Sequence, residues 1–333
     1  MIIGNSSAEV VGGTVRDGET GEAGEAAPFL FDFLPPPPDV EPYVTTYFSL
    51  RCDRARIDDV QPAAVALFLV FLKGEGRMRT GDGAIHVSHR TSLVTPLSAA
   101  AEITVEGPWH AFGAAIGPLG WAALTGRLSA AEWSDRMVEA GSLFGPEVTR
   151  LGESLIDGHR AGTLRPQDMV AMASRVFAAR AIHIPPRHED LIRAVAEWLG
   201  GALSPRLEDL VAATPYSPRQ LQRLVDHHFG LSPSQLARKY RALRAAALLC
   251  HPGTPADQIA HVEEQFYDQP HMIREIRHFT GCTPGRLART NQPLRSASVD
   301  LRNYVEIRPK VAAMPSGLGL LSHGHLAMPK RDT

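Results

Sequence analysis

Arg219, Gln222 and Arg223 stand at i, i+3 and i+4, a spacing that places three side chains on one face of a helix. Arginine donates two parallel hydrogen bonds to O6 and N7 of guanine, and glutamine pairs with N6 and N7 of adenine. The triplet therefore suits the major groove of DNA. Gln269, His271 and Arg274 form a second face of this kind, and Arg274 falls 51 positions after Arg223. One arginine alone reads as readily as a solvated surface charge. Its recurrence within a repeated motif is what gives it weight.

The positioning elements recur with it. Residues 217–236, SPRQLQRLVDHHFGLSPSQL, lie on residues 268–287, DQPHMIREIRHFTGCTPGRL, at that offset without a gap. His227 meets His278, Gly230 meets Gly281, Pro233 meets Pro284, and Leu236 meets Leu287. Each copy opens on a capping residue (Ser217, Asp268), repeats apolar residues at i and i+4 (Leu221/Val225, Met272/Ile276) and closes on glycine. Ser-Pro or Thr-Pro then starts another helix with proline at its first position, where the missing N–H costs nothing. A short apolar-periodic helix precedes each copy, around Leu207, Leu210 and Val211 and around Ile259 and Val262. Helix, turn and outward-facing second helix is the helix-turn-helix arrangement, here twice. The segment between the copies, SPSQLARKYRALRAAALLC, is one helix with Leu236, Tyr240, Leu243 and Ala247 on one side. Its roughly 18 residues span about 27 Å, enough to hold two recognition helices near one turn of DNA (~34 Å) apart.

Over residues 188–290 the chain resembles the DNA-binding domain of AraC/XylS-type transcriptional regulators, and FYDQPHMIREIRHFTGCTPGRL looks like that family's C-terminal signature. The resemblance implies a cytoplasmic transcription activator whose partners are double-stranded DNA, RNA polymerase and an unknown small-molecule effector, with a homodimer as a further expectation. It implies base or phosphate contacts at Arg219, Gln222, Arg223, Gln269, His271 and Arg274. Ser217, Arg238, Lys239, Arg241, Arg244 and Arg277 are candidate phosphate contacts, which add affinity without sequence information. Two turns depart from the family pattern, which usually has glycine there: Pro215 stands in the first, and the second carries Gln265 in the stretch IAHVEEQFYDQ, one residue longer. Glu263, Glu264 and Glu275 bring negative charge beside the second helix, so the first is expected to read more sequence and the second to position on the backbone.

The fold class expected is multidomain α+β. Residues 1–34, rich in Gly, Glu, Ala and Ser, are expected to be disordered, with Pro35–Pro38 as a stiff polyproline lead-in. From Tyr43 short apolar or alternating runs such as VALFLVFL, AEITVEG and HAFGAAI read as strands of a small barrel or sandwich over 35–117. The resemblance implies a cupin-like sensor barrel there. Lys73-Gly74-Glu75-Gly76 and Thr80-Gly81-Asp82-Gly83 read as hairpin turns. Residues 118–184 turn helical and serve either core packing or dimerisation. Ile184-Pro185-Pro186-Arg187 is the expected linker, and 291–333 a flexible tail in which the run from Ser316 to Leu321 is a weak docking candidate.

With 44% hydrophobic and 21% charged residues the chain is globular, and 333 residues allow two cores. A net charge of −2 says little, but residues 217–290 carry ten Lys/Arg against six Asp/Glu, a basic bias suited to DNA. Three scattered cysteines argue against a disulfide framework and for a reducing compartment. MIIGNSSAEV lacks the pattern of a signal peptide, and no apolar run reaches the ~18 residues of a membrane span. The competing reading is a cupin-type metal-dependent enzyme fused to a helical DNA-binding module. His86, His89 and His110 lack the spacing and the carboxylate that such a site needs, because His86 and His89 point to opposite faces of a strand. No catalytic residue, metal ligand or cofactor is expected.

Overall fold

The computed structural model describes residues 29–300, except 252 and 288–291, together with 314–315. The expected disorder of residues 1–28 and most of the expected tail, including the run from Ser316, lie outside the described residues.

The chain begins with the strands β1 (Phe29–Leu34), β2 (Val44–Cys52), β3 (Arg56–Gln61), β4 (Ala66–Arg79), β5 (Ile85–Val87), β6 (Thr91–Val94) and β7 (Ala101–Ile116). Helices α1 (Pro118–Leu124) and α2 (Ala130–Trp133), strand β8 (Met137–Glu139) and helices α3 (Gly141–Phe144), α4 (Pro146–Arg160) and α5 (Pro166–Arg180) follow. The C-terminal half is helical: α6 (Pro186–Gly201), α7 (Leu207–Ala212), α8 (Pro218–Phe229), α9 (Pro233–Cys250), α10 (Ala256–Glu264), α11 (Gln269–Thr280), α12 (Pro284–Leu287) and α13 (Pro293–Ser298).

All strand pairs are antiparallel, in the order β1-β2-β7-β4-β6-β8, with β3 also on β7 and β5 also on β4. The path ends on β1 and β8, so the sheet curls without closing as a barrel would. Its centre is buried on both faces, which is why VALFLVFL is apolar throughout. Ala66, Phe68 and Val70 of β4 join Phe112, Ala114 and Ile116 of β7 in a core completed by α1, α4 and α5. Leu67, Phe71, Trp109, Ala111 and Ala115 face the other way, into a second core. The apolar faces of α4 and α5 are thus spent on the sheet.

Three expectations need correction. Phe29–Leu34, placed in the disordered segment, is a strand paired with β2, and alternate residues of it pack inward. Lys73–Gly76 is not a hairpin turn. It is an irregularity inside β4, where the pairing with β7 shifts register at Lys73. Gly74 has φ +86°, and a Cβ there would run into the Pro108 and Glu106 carbonyls. By contrast Thr80–Gly83 does turn the chain from β4 into β5, with Asp82 accepting from the Thr80 hydroxyl and the Ala84 amide. Finally, the expected flexible tail contains α13. The carboxylate of Asp59 in β3 accepts from the Leu294 and Arg295 amides at the start of that helix. Burial pushes the Asp59 carboxyl up to about 6, opposed by these amides and that of Val60.

The C-terminal half has its own core, centred on Val195, Leu199, Leu210, Val225, Leu243 and Ile276. α9 lies in its middle and is buried nearly all round, far beyond the single apolar side read from the sequence.

Candidate nucleic-acid interface and effector cavity

Both outer helices are shaped by local chemistry. Ser217 Oγ accepts from the Gln220 amide and Gln220 Oε1 accepts from the Ser217 amide, a reciprocal cap that fixes the start of α8. Asp268 Oδ1 accepts from the His271 amide at the start of α11. Gly230 and Gly281 end the two helices at φ 78° and 73°, the left-handed conformation that glycine adopts without a Cβ clash. The missing turn glycines cost nothing here. α7 and α10 end on Ala213 (φ −82°, ψ −6°) and Gln265 (φ −75°, ψ −5°), and both values suit ordinary residues. The second connection, Gln265 to Asp268, is shorter than the first, Ala213 to Ser217, because the extra residue lies within a longer α10.

Arg219, Gln222 and Arg223 are exposed along α8, and Gln269, Arg274 and Arg277 along α11. Ser217 is exposed as well, although its hydroxyl serves the cap. His271 is only half-exposed, its Nε2 lying 3.4 Å from Glu275 Oε2. An aromatic that sequence reasoning passed over, Tyr267, is 94% exposed just before the Asp268 cap. The available signal was an aromatic directly ahead of a cap, outside the apolar period.

The α9 cations behave otherwise. Lys239 is buried, donating to the carbonyls of Ala64 and Leu97 at 2.9 and 2.8 Å, both in the N-terminal half. Arg241 grips the buried Glu275 carboxylate through Nε at 2.9 Å and Nη2 at 2.7 Å, and reaches Ser204 and the Gln265 carbonyl. Arg244 is fully buried against the Tyr240, Leu199 and Ala202 carbonyls. None of these three faces a phosphate, so the expectation is corrected for Lys239, Arg241 and Arg244. The reason is common to all: a helix buried on most sides uses its long cations to satisfy buried acceptors. Arg238 is half-exposed and shares Glu275, at 3.0 Å. Glu275 is therefore no repulsive charge toward DNA, whereas Glu263 and Glu264 remain exposed.

The two halves meet along this same helix. Ala63 N donates to Phe279 O and Ala100 N to His278 O, tying the end of α11 to the sheet domain. Beside these bonds lies an apolar cavity of about 230 Å³. Phe48, Met78 and Trp109 line it from the sheet, Tyr240 and Leu243 from α9, and Leu294 from α13. Among the described residues no set of three His, Cys, Asp or Glu side chains is gathered as a metal ligand group, and no helix is long and apolar enough to cross a membrane.

Residues 210–290 match the model of a helix-turn-helix domain family. No curated protein matches the chain. Among solved structures, ToxT from Vibrio cholerae is similar over 73% of this chain and 97% of its own, with 10% identity and a TM-score of 0.42. An unsaturated fatty acid-bound form of ToxT gives 71%, 95%, 10% and 0.40 in the same order. The AraC-like transcriptional activator CuxR covers 79% of this chain and 85% of its own, with 10% identity and a TM-score of 0.32.

Proposed function

We propose, from the AraC-type helix-turn-helix domain that residues 210–290 form, that this DNA-binding transcriptional regulator reads one operator with both units and is switched by an apolar effector held between its halves. The observation that carries the reading is the pair of matched, capped helices, each with an exposed arginine at the shared offset. Arg219, Gln222 and Arg223 read base edges in one stretch of major groove. Gln269, Arg274 and the partly withdrawn His271 enter the next. Ser217, Arg238 and Arg277 contact the backbone. The effector acts through the cavity, because its walls belong to the sheet, to α9 and to α13 together. A ligand there would change how α9 is seated. RNA polymerase is the partner in activation, and a homodimer would use surfaces other than the buried faces of α4 and α5.

Footprinting of the full-length protein at sites found by genome-wide mapping tests this. Two protected patches about one helical turn (~10 bp) apart are expected. Binding without any sequence preference would sink the proposal.

Arg223→Ala is expected to cost about 1–3 kcal/mol at the cognate site and to relax preference at one or two base pairs. Arg274→Ala, on the helix that the exposed Glu263 and Glu264 precede in the chain, should weaken all sequences more evenly and lower the salt slope by about one. Affinities for cognate and single-mismatch sites across a salt series decide it. Loss of base preference on Arg274→Ala alone would reverse the assignment.

A further inference from the structure

The irregularity in β4 opens a second cleft, polar and about 620 Å³, against the end of α4. It is lined by neither the DNA-facing residues nor the α9 face of the apolar cavity. The register shift sets Lys73 opposite His110 of β7, and a bond from the Phe71 amide to the Arg90 carbonyl holds Arg90 beside them. Among the described residues neither Lys73 nor Arg90 pairs with an acid, although both line the cleft and are exposed. Glu75 is the one acid in the lining.

Behind these cations runs a relay. Buried His110 bonds Asp53 through Nε2 at 2.9 Å and His159 of α4 through Nδ1 at 3.1 Å. The bond from His110 holds the Asp53 carboxyl below its usual range. As a carboxylate Asp53 only accepts, so His110 Nε2 carries hydrogen. With a neutral His110, Nδ1 must accept from His159 Nε2, which leaves His159 Nδ1 as a bare acceptor. Adding one proton to the pair turns that same atom into a donor. Burial first, and then the neighbouring His110, Arg51 and Lys73, hold His159 below its usual pKa.

We propose that this cleft binds a small polyanion, a phosphate ester or a di- or tricarboxylate, through Lys73, Arg90 and His159. Such an anion supplies the counter-charge these groups lack. It also draws a proton onto the relay, so that His159 presents a donor to it. The site is separate from the proposed apolar effector site and stands without it.

Calorimetric titration of the full-length protein with pyrophosphate and with citrate, at constant ionic strength, tests the proposal. Stoichiometric binding of at least one probe is expected, and the stronger one assigns the class as phosphate or carboxylate. Lys73→Gln/Arg90→Gln, two exposed positions, should weaken it about tenfold or more, as loss of charge-assisted bonds does. Arg219→Gln/Arg223→Gln removes cations from the DNA-facing helix and should leave it unchanged. Binding that survives in the cleft variant, binding lost only in the α8 variant, or no binding of either probe overturns the proposal.

Discussion

Glu275→Ala should destabilise the C-terminal domain by about 3–5 kcal/mol, the range for removing one partner of a buried ion pair. The Glu275 side chain is wholly buried, and it accepts from Arg241 through two nitrogens and from Arg238 through a third. Arg241 is itself 16% exposed, and its guanidinium lies over the Phe266 ring at 4.7 Å. Without the carboxylate that charge stays buried and uncompensated, while the bond from Arg241 to the Gln265 carbonyl still draws it inward. Glu275→Gln, which keeps an acceptor and the shape, should lose less. Arg241→Met combined with Glu275→Leu should recover much of the loss, since two apolar groups leave no orphaned charge. Urea unfolding followed by far-ultraviolet circular dichroism, to which the helical C-terminal half contributes most, gives the numbers. An alanine variant within about 0.5 kcal/mol of the parent, the range of an ordinary surface change, would show that the pair contributes nothing.

Lys239 predicts a stability that rises with pH. Burial pushes its ammonium down to about 7, with the charge of Asp135 opposing. Folded pKa here lies below the unfolded value near 10.5, so between pH 7 and 10.5 the unfolded chain holds a proton that the folded chain has lost. Stability therefore climbs through that window by up to about 1.4 kcal/mol per pH unit, and is flat with respect to this group below it. The neutral amine suits its site, because two N–H bonds meet the two carbonyls of Ala64 and Leu97. Lys239→Met should remove this rise between pH 7 and 9.5, and the interface between the halves should loosen as both carbonyls lose their donor. Thermal midpoints of parent and variant across that range are the check. Parallel pH profiles for the two proteins would rule Lys239 out as the source.

The helix-turn-helix pair was legible because its signals are local. Ser217, Asp268, Gly230 and Gly281 act within four residues of themselves, so their types report the helix ends directly. The roles of Lys239, Arg241 and Arg244 were not legible. Each looked like a free cation on a basic helix, and its partner lies far along the chain: Ala64 is 175 residues from Lys239. Glu275 was misread for the same reason, as a charge near DNA and not as the ligand of Arg241. β1 was missed because a strand beside a featureless leader borrows its stability from β2. The four-residue stretch at Lys73 carried every mark of a turn, yet pairing with a 16-residue β7 overrode it. His110 was considered only beside His86 and His89, and the partner that matters, His159, stands on another element.

Asp59 and α13 give the molecule a further joint. The sheet domain and the helical domain are joined by the chain at Pro185, by the bonds of Lys239, His278 and Phe279 to the sheet side, and again where α13, past α11, is seated on β3. Two bodies held at several points form a closed linkage, in which a displacement at one attachment is felt at the others. The apolar cavity, with walls from both bodies and from α13, sits where such a displacement would be felt. A change of tilt at α9 would reach α11, which packs along it, whereas α8 leans also on α1 and α2 of the N-terminal half.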